Sequence, residues 1–476
     1  MSVVTNTTTI GAIDAPSRRN TELVLLAFAV AIPVFAYLNV GLALDGEVPA
    51  GMLGYGLGLG LLAGIAHLLV RKFAKYADPI LLPLATLLNG LGLVLIWRLD
   101  QSPRLQAMYK TFSPDAPKQL MYSAIGVALF LLVLLFLKDH RVLQRYTYIS
   151  MMVAIVLLLL PLVPGLGTDS FGAKIWIKVG PFSIQPGEFA KIVLAVFFSG
   201  YLMVKRDALA LASRRFMGLY LPRGRDLGPI LTIWALSLAI LVFENDLGTS
   251  LLFFGMFVIM LYVATERTSW IVMGLLMAVG GAVAVGSFAT HVQSRVAAWL
   301  DPFECLKTAP PDTNMAWACD QMTQVLMSFG SGGTIGTGLG QGNSDLIRFA
   351  ANSDFIFATV GEELGLAGAM AFILLYGLIA ERGLRTALAA RDPFGKLLAT
   401  GLSGAFALQV FVVAGGVMGL IPLTGMTMPF LAYGGSSVIA NWALIAILLR
   451  ISDTARRPAP TPAPNPDAEM TQVVRP

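Results

Sequence analysis

Three carboxylates stand close together in the stretch ANSDFIFATVGEELG, which begins at Ala351: Asp354, Glu362 and Glu363. The stretch enters an apolar segment that looks long enough to cross a bilayer, where an unpaired charge costs about 2.5–3.5 kcal/mol. A positioned carboxylate can take or give a proton during a reaction, which offers one reason to keep it there. The stretch therefore marks a candidate site for acid–base chemistry.

Asp354 has two interpretations. It precedes a predicted helix, where the helix dipole stabilises an acidic side chain by about 0.3–1 kcal/mol, or it is an acid at the outer face of the membrane. Glu362 lies near the same helical face and too deep to be a cap, so we expect it to face a polar partner or a water-filled cavity. Glu363 is predicted to pair within the helix bundle.

A second polar cluster begins the predicted helix in QPGEFAK. Glu188 and Lys191 are three residues apart and therefore share a helical face. The pair is either a structural ion pair or part of a binding site. Lys174, Trp176 and Lys178 precede it and combine two cations with an aromatic ring, although a tryptophan at this depth is also typical of a bilayer anchor.

Further candidates lie in two other outward segments. Asp246, in the ENDLGTS turn, is either a helix cap or a site residue. Arg295 precedes a glycine-rich run whose backbone N–H groups could approach a phosphate, although flexible loops look the same. The glycines concerned are Gly330, Gly332, Gly333, Gly336, Gly338 and Gly340. Together these residues predict an outward-facing polar site for an anionic, lipid-linked substrate.

The elements that position these residues are predicted to be membrane helices. Of the 476 residues, 56% are hydrophobic and 13% are charged, against about 25% charged in soluble domains. Repeated apolar runs are long enough to span the bilayer as helices, which excludes barrel strands. The predicted fold class is all-α and polytopic, with about twelve spans: 23–43, 52–70, 79–97, 119–137, 146–163, 188–204, 228–243, 248–265, 270–290, 355–380, 397–419 and 436–451.

The basic residues predict the orientation of these spans. With both termini in the cytoplasm, most of the 33 lysines and arginines fall in cytoplasmic segments, as the positive-inside rule requires. The net charge of +5 therefore needs no nucleic-acid partner. The basic loop 205–227 is either an amphipathic helix on the lipid surface, in KRDALALASRRF, or a simple topology determinant.

Two long outward segments, 164–187 and 291–354, are expected to carry function. Cys305 and Cys319 lie in the second, where we expect a disulfide rather than two free thiols. The three histidines, His67, His140 and His291, are too scattered for a metal site.

Five segments stand in a recognisable order: GAKIWIKVGPFSIQPGEFAK, ENDLGTSLL, RVAAWLDP with QVLMSFGSGGTIGTGLGQG, SDFIFATVGEELGLAG and GLIPLTGMTMPFLAYGGSS. In order and spacing they resemble the SEDS family of cell-wall proteins (shape, elongation, division and sporulation), which includes RodA and FtsW. The resemblance implies a peptidoglycan glycosyltransferase that polymerises lipid II, the undecaprenyl-pyrophosphate-linked disaccharide pentapeptide. It also implies a class B penicillin-binding protein as partner, within an elongation or division complex.

The resemblance assigns roles to individual residues. Asp354, in DFIF, matches the aspartate that is the leading catalytic candidate of the family. Other matched motif positions are Trp176, Glu188, Lys191, Asp246, Arg295, Gln324, Gly434, Gly435 and Ser436. Two motifs depart from the family pattern: Lys174-Ile175-Trp176 stands where Arg-Arg-Trp is usual, and FAANS replaces Pro-Glu-x-His-Thr before DFIF.

The resemblance also divides the chain. The predicted parts are a cytoplasmic tail (1–22), two accessory transmembrane helices (23–78), the SEDS core (79–452, including the loop 291–354) and a disordered Pro-rich cytoplasmic tail (453–476). The family core has ten helices, so the first two are additional. The extra helices and the tail resemble an actinobacterial RodA more than FtsW.

The hypothesis for the reaction is glycosyl transfer at the outer face of a bacterial cytoplasmic membrane, with Asp354 as general base. The departing pyrophosphate needs cations, and Lys174, Lys178, Arg295 and Arg348 are the candidates, as is a divalent ion such as Mg²⁺ or Mn²⁺. Alternatives are a lipid II flippase, whose headgroup path would include Glu188, Lys191 and Glu362, an FtsW-type polymerase of the division septum, and a scaffold for the penicillin-binding protein.

Overall fold

The structure is a computed structural model that describes residues 17–108, 112–170, 173–180, 182–210, 214–216, 219–221, 228–311 and 313–458. Eleven of its segments are helical, long and apolar enough to cross a membrane. The expectation of a polytopic helical membrane protein is therefore confirmed.

The helices follow one another along the whole described chain. The first nine are α1 (Arg19–Asp45), α2 (Met52–Phe73), α3 (Leu81–Asp100), α4 (Pro103–Met108), α5 (Ala116–Phe136), α6 (Thr147–Leu159), α7 (Pro186–Ala210), α8 (Gly228–Phe243) and α9 (Leu247–Thr265). The others are α10 (Ser269–Gly286), α11 (Thr290–Leu300), α12 (Pro302–Thr308), α13 (Asn314–Gly332), α14 (Ile356–Glu363), α15 (Gly365–Ala389), α16 (Pro393–Val417) and α17 (Gly435–Arg456). Short 3₁₀ helices cover His140–Tyr146, Leu160–Leu162 and Ser344–Ala350.

Helix α17 is the centre of the bundle. Of an 18-residue apolar stretch within it, 94% is buried, and the helix packs against α3, α5, α7, α15 and α16. A helix surrounded by others in this way buries residues on every face. Helix α8 corresponds to the predicted span 228–243. It has only 16 residues, fewer than any of the eleven helices counted as spans, and so it is not one of them.

The two accessory helices pack on the core, α1 against α3 and α2 against α5. Polar contacts fix them at one end of the bundle. Arg19 donates to the backbone carbonyl of Ala77, and Glu22 contacts His67 Nδ1 at 2.8 Å. Helix α1 begins at Arg19, within the predicted tail, and α17 continues to Arg456, beyond the predicted core. Residues 1–16 and 459–476 of the two tails lie outside the described residues.

The predicted span 355–380 is wrong in one respect, because the chain breaks at Leu364 into α14 and α15. Gly365 has a φ of 67°, which suits glycine and ends the first helix. A Cβ atom on Gly365 would also lie closer than 3.0 Å to the backbone of Gly336. Only α15 has the length of a span, and Glu362 and Glu363 end the short helix that precedes it.

Small antiparallel sheets replace two predicted loops. In the outward segment 164–187, β1 (Gly167–Ser170), β2 (Ala173–Val179) and β3 (Phe182–Ile184) form one sheet in that order. In the basic loop, β4 (Arg214–Phe216) pairs with β5 (Leu219–Leu221). The amphipathic helix predicted there is therefore wrong in extent, because α7 ends at Ala210 and Arg214 begins a strand.

The outward segment 291–354 is mostly helical. It contains α11, α12, α13 and the 3₁₀ helix before residue 351. The predicted disulfide between Cys305 and Cys319 is present and joins α12 to α13. Helix α13 in turn packs on α14. The segment is therefore a folded unit placed over the helix that follows Asp354.

The close approach of α13 and α14 predicts a stability difference between two glycines of α13. A Cβ atom on Gly332 would lie closer than 3.0 Å to backbone atoms of Gly361 and Glu362, whereas one on Gly330 would meet nothing within 4 Å. We expect Gly332→Ala to destabilise the protein by about 1–3 kcal/mol. The matched Gly330→Ala is expected to be neutral or stabilising by up to about 1 kcal/mol. Thermal unfolding midpoints of the purified variants in detergent test this, and equal midpoints would contradict it.

Candidate active site

A cavity of about 550 Å³ opens beside the β1–β3 sheet. Its walls come from that sheet, α5 and the residue before it, the turn between α8 and α9, helix α11, the segment before α14 and the loop before α17. The lining residues that carry charge or an aromatic ring are Asp115, Tyr122, Trp176, Lys178, Asp246, Arg295, Asp354 and Tyr433. Five of the eleven residues predicted for the site, Trp176, Lys178, Asp246, Arg295 and Asp354, thus line one cavity.

Asp354 lies on the cavity wall immediately before α14. The N-cap of α14 is Phe355, so Asp354 lies one residue before the cap position, where the positive end of the helix dipole favours its carboxylate. The backbone around it is held by hydrogen bonds from the Ser353 and Phe355 N–H groups to the Ala350 carbonyl, at 3.3 and 3.1 Å. The carboxylate is therefore presented to the cavity from a well-defined turn.

Asp246 serves as a helix cap and lines the same cavity. Its carboxylate accepts from the Thr249 N–H at 2.9 Å and from the Thr249 hydroxyl. The capping interpretation is confirmed, because an N-cap aspartate is expected to accept a hydrogen bond from the backbone N–H three residues later. Both carboxylate oxygens are occupied by this helix.

Arg295 brings a positive charge to the two aspartates. It projects from α11, and its Nη1 donates to the Leu423 carbonyl at 3.2 Å. The guanidinium passes over Gly425, where a Cβ atom would lie only 3.0 Å from Nη2. Gly425 has a φ of 76°, so a glycine there suits both the turn and the approach of the arginine.

Burial and the arginine act in opposite directions on the two carboxyl groups. Burial, with a smaller repulsion from Asp246, raises the pKa of Asp354 to about 6, against the attraction of Arg295. Burial likewise raises the pKa of Asp246, opposed first by its bonds to Thr249. A carboxyl group with a pKa of about 6 is mostly ionised at neutral pH and remains basic enough to accept a proton.

Strand β2 contributes an aromatic ring and a cation to the wall. Trp176 is partly buried, and its backbone carbonyl accepts from the Thr168 hydroxyl on β1 at 3.3 Å. Lys178 is exposed and faces the cavity. Lys174 is exposed but does not line the cavity; its backbone N–H donates to the Glu244 carbonyl at 3.2 Å.

Glu188 and Lys191 are buried in α7 and do not line the cavity. Lys191 Nζ lies 2.6 Å from Glu188, 2.9 Å from Gln409 Oε1 and 3.2 Å from Asn441 Oδ1. Gln409 Nε2 also donates to the carbonyl of Thr427, a lining residue, at 3.0 Å. The pair therefore belongs to a closed polar network that supports the cavity from behind.

Glu362 is buried under the glycine-rich loop. Its Oε1 accepts from the Asn343 N–H at 2.8 Å and from the Ser331 hydroxyl at 3.2 Å, while its backbone carbonyl accepts from the Thr337 N–H at 2.9 Å. The Asn343 amide thus binds a carboxylate of the chain itself and the Thr337 amide a backbone carbonyl, and no glycine from Gly330 to Gly340 lines the cavity with Asp354. Glu362 does not line the cavity with Asp354.

Glu363 pairs within the bundle, as predicted. Its carboxylate forms an ion pair with Arg98 of α3 and accepts from the Gly340 N–H at 2.8 Å. Arg98 also donates to the Gly342 carbonyl. The glycine loop is thus joined to two helices through one buried ion pair.

Gln324 and Arg348 lie away from the cavity lining. Gln324 is partly buried on α13. Arg348 pairs with Asp320 at 3.4 Å and lies over the ring of Trp317, 5.1 Å from its centroid. The substrate contacts predicted for the Gln324 and Arg348 side chains have no support in this geometry.

Among the lining residues that were not predicted for the site are Asp115, Tyr122, Asn352 and Tyr433. Asn352 Nδ2 donates to Asp115 Oδ2 at 2.9 Å, and the Tyr433 N–H donates to the Asn352 carbonyl at 2.7 Å. These contacts join distant parts of the chain. Two features of the sequence could have pointed to these residues. Tyr433 adjoins Gly434, and Asn352 lies two residues before Asp354.

Comparison with known proteins places the chain in a family. A family model for FtsW, RodA and SpoVE, described as cell cycle protein, matches residues 79–457. The peptidoglycan glycosyltransferase RodA of Mycobacterium tuberculosis is 49% identical over 94% of this chain and 93% of its own length. The RodA of Mycobacterium leprae is 47% identical over 93% of this chain and 92% of its own length.

A solved structure agrees with the fold. One chain of a peptidoglycan synthase complex, studied for the coordination of polymerization and crosslinking, superposes with a TM-score of 0.61 at 24% identity. The match covers 80% of this chain and 99% of that one. The chain belongs to the FtsW, RodA and SpoVE family of cell cycle proteins, the SEDS family that its five motifs resemble.

Proposed function

We infer that this protein is a peptidoglycan glycosyltransferase. Relatives that are nearly half identical over almost the whole chain carry that name. The observation that carries the inference is the position of Asp354, which lines a large cavity beside Arg295 and Lys178. A basic carboxylate and cations in one cavity are the groups that transfer of a sugar from a pyrophosphate requires.

In the proposed reaction two lipid II molecules meet in the cavity. Asp354 takes the proton from the 4-hydroxyl of the acceptor sugar, and the oxygen forms a bond with the anomeric carbon of the donor. The bond between that carbon and the pyrophosphate breaks, and the undecaprenyl pyrophosphate leaves with the electron pair. Arg295 and Lys178 stabilise the charge that develops on the leaving group.

A divalent cation fits the same site. The described residues include no group of three His, Cys, Asp or Glu side chains arranged to hold a metal, but Mg²⁺ usually takes only one or two protein carboxylates and completes its shell with phosphate and water. Asp354 would supply such a carboxylate, since both oxygens of Asp246 already accept from Thr249. The ion would neutralise charge on the departing pyrophosphate.

We further propose that the cavity faces outward from a bacterial cytoplasmic membrane. Most of the lysines and arginines lie in segments at the opposite side, as the positive-inside rule predicts for a cytoplasmic face. The substrate headgroup would then be available on the outer surface. The related synthase complex couples polymerization with crosslinking, which supports a class B penicillin-binding protein as partner here, in the elongation complex.

The polar groups inside the membrane favour the enzyme over the flippase. Glu188 and Lys191 are bound to each other and to Gln409 and Asn441 in a buried network. A headgroup path would need such groups to face a water-filled route. The cavity instead lies at the end of the bundle that carries the β1–β3 sheet.

Replacing the proposed base tests the function directly. We expect Asp354→Asn to lower the rate of lipid II polymerisation by about 10²–10⁴, the usual contribution of a positioned base. The measurement is gel analysis of glycan chains made from fluorescent lipid II by the complex with its transpeptidase. Glu304→Gln makes the same chemical change at an exposed position outside the cavity and should keep the parent rate.

The same assay can be paired with dye-quench flipping in liposomes. An Asp354→Asn variant that polymerised at the parent rate would remove the base from the mechanism. Flipping by a parent protein that makes no glycan would favour the transporter instead.

The pH dependence follows from the pKa of Asp354. The base works only when ionised, so with a pKa of about 6 the polymerisation rate should fall about tenfold per pH unit below pH 6. Because Arg295 lowers this pKa, Arg295→Gln should move the acidic limb to higher pH. Initial rates between pH 4.5 and 8 test both statements. A flat profile, or a limb that moves to lower pH in the variant, would contradict them.

A further inference from the structure

One wall of the cavity is built from side chains that the reaction above does not use: Asp115, Tyr122, Asn352 and Tyr433. They come from the segment before α5, from α5 itself, from the turn before Asp354 and from the loop before α17. This wall is separate in sequence from β2 and α11, which carry Lys178 and Arg295.

Asp115 organises the wall through hydrogen bonds. Its Oδ2 accepts from Asn352 Nδ2 at 2.9 Å and its Oδ1 from Lys118 Nζ at 2.9 Å. Burial raises the pKa of the Tyr433 phenol, and the negative charge of the nearby Asp115 carboxylate raises it further. The backbone N–H of Asp115 donates to the carboxylate of Asp100 at 2.9 Å, which fixes the segment to the end of α3.

These bonds leave a mixed set of donors and acceptors facing the cavity. The bond to Asp115 uses one N–H of the Asn352 amide, which has a second N–H and a carbonyl oxygen. The Tyr433 oxygen can accept as well as donate, and a carboxylate has about four acceptor positions, of which the contacts from Asn352 and Lys118 use two. Such a mixture complements hydroxyl and acetamido groups, each of which contains both a donor and an acceptor.

Two aromatic rings give the wall apolar surface as well. A Cβ atom on Gly435 would lie 2.7–2.8 Å from three ring carbons of Tyr122, so one face of this ring packs on the bare glycine backbone. Tyr122 and Tyr433 both line the cavity. Aromatic rings beside hydrogen-bonding groups suit a sugar, which has apolar C–H faces and polar edges.

The charge of the wall argues against the pyrophosphate. Asp115 carries a negative charge, already paired with Lys118, whereas Arg295 and Lys178 line other parts of the cavity. A phosphate group is attracted to the latter and repelled by a carboxylate. The lining cations thus come from β2 and α11, whereas the wall offers hydrogen-bonding groups and one paired carboxylate, which suit a neutral, hydroxylated ligand.

We propose that Asn352, Tyr433 and Asp115 form the subsite that binds the acceptor sugar, which rests on the proposed glycosyl transfer. Asn352 lies two residues before Asp354, at most about 7 Å away along the chain. A sugar ring bound there can present a hydroxyl group to the Asp354 carboxylate. Asp115 acts mainly as a positioning residue, because it fixes the Asn352 amide.

Two probes that differ only in the sugar and its peptide test this subsite. They are fluorescent lipid II and undecaprenyl pyrophosphate, bound to the Asp354→Asn protein in nanodiscs so that no turnover occurs. Asn352→Ala and Tyr433→Phe should each weaken lipid II binding about 3- to 10-fold, the range for one lost hydrogen bond. Binding of undecaprenyl pyrophosphate should change less than about 2-fold. Asp115→Asn should change the ratio of the two affinities in the same direction.

The controls separate binding from folding. Lys178→Ala should weaken the binding of both probes, and Asn314→Ala, which removes an exposed amide outside the cavity, should weaken neither. Tyr433→Phe keeps the ring and the backbone bond to Asn352, so an unchanged unfolding midpoint is expected. Equal losses for both probes, or no loss for lipid II, would overturn the subsite.

The outcome is also distinguishable from failure of the proposed function. If the two probes separate as expected but the protein with Asp354 intact makes no glycan, the glycosyl transfer is wrong and the sugar subsite stands. If glycan is made but the affinity ratio does not change in the variants, only the subsite is wrong.

Discussion

Two adjacent buried carboxylates, Glu362 and Glu363, connect the long segment 291–354 to the membrane helices. Glu362 accepts from the backbone N–H of Asn343, and Glu363 from that of Gly340 and from Arg98. Hydrogen bonds to charged groups contribute about 1.5–3 kcal/mol each, and leaving a buried charge without them is costly. The glycine loop therefore has to approach these carboxylates closely, which larger residues would prevent.

The same connection determines how firmly Asp354 is placed. The carboxylates end the short helix α14, and Asp354 lies just before its other end. Every residue of α14 is buried, and the helix packs against α13 and α15. Since both ends of this helix are fixed by bonds outside it, the Asp354 carboxylate needs little reorganisation to meet a substrate, which is the condition for efficient proton transfer and charge stabilisation.

Local contacts of the site were predictable from sequence, and contacts between distant segments were not. Asp246 caps α9 and Glu188 pairs with Lys191 within one helical turn, so residue types and spacing were sufficient. The break at Leu364 was missed because the apolar pattern continues through it, and only a positive φ at Gly365 reveals it. The bond from Asn352 to Asp115 joins residues 237 apart, and no periodicity carries information over such a separation.

The two aspartates beside Arg295 differ in what their oxygens already bind. Both oxygens of Asp246 accept from Thr249, and these bonds favour its ionised form against burial. For Asp354, the only hydrogen-bonding group that lowers the pKa is the side chain of its neighbour Ser353. The Asp354 carboxylate is therefore the one available to a substrate hydroxyl. Environments that separate two carboxyl groups in this way also divide their roles. Asp246 completes a helix end and helps to balance the charge of Arg295, and Asp354 is left to accept the proton.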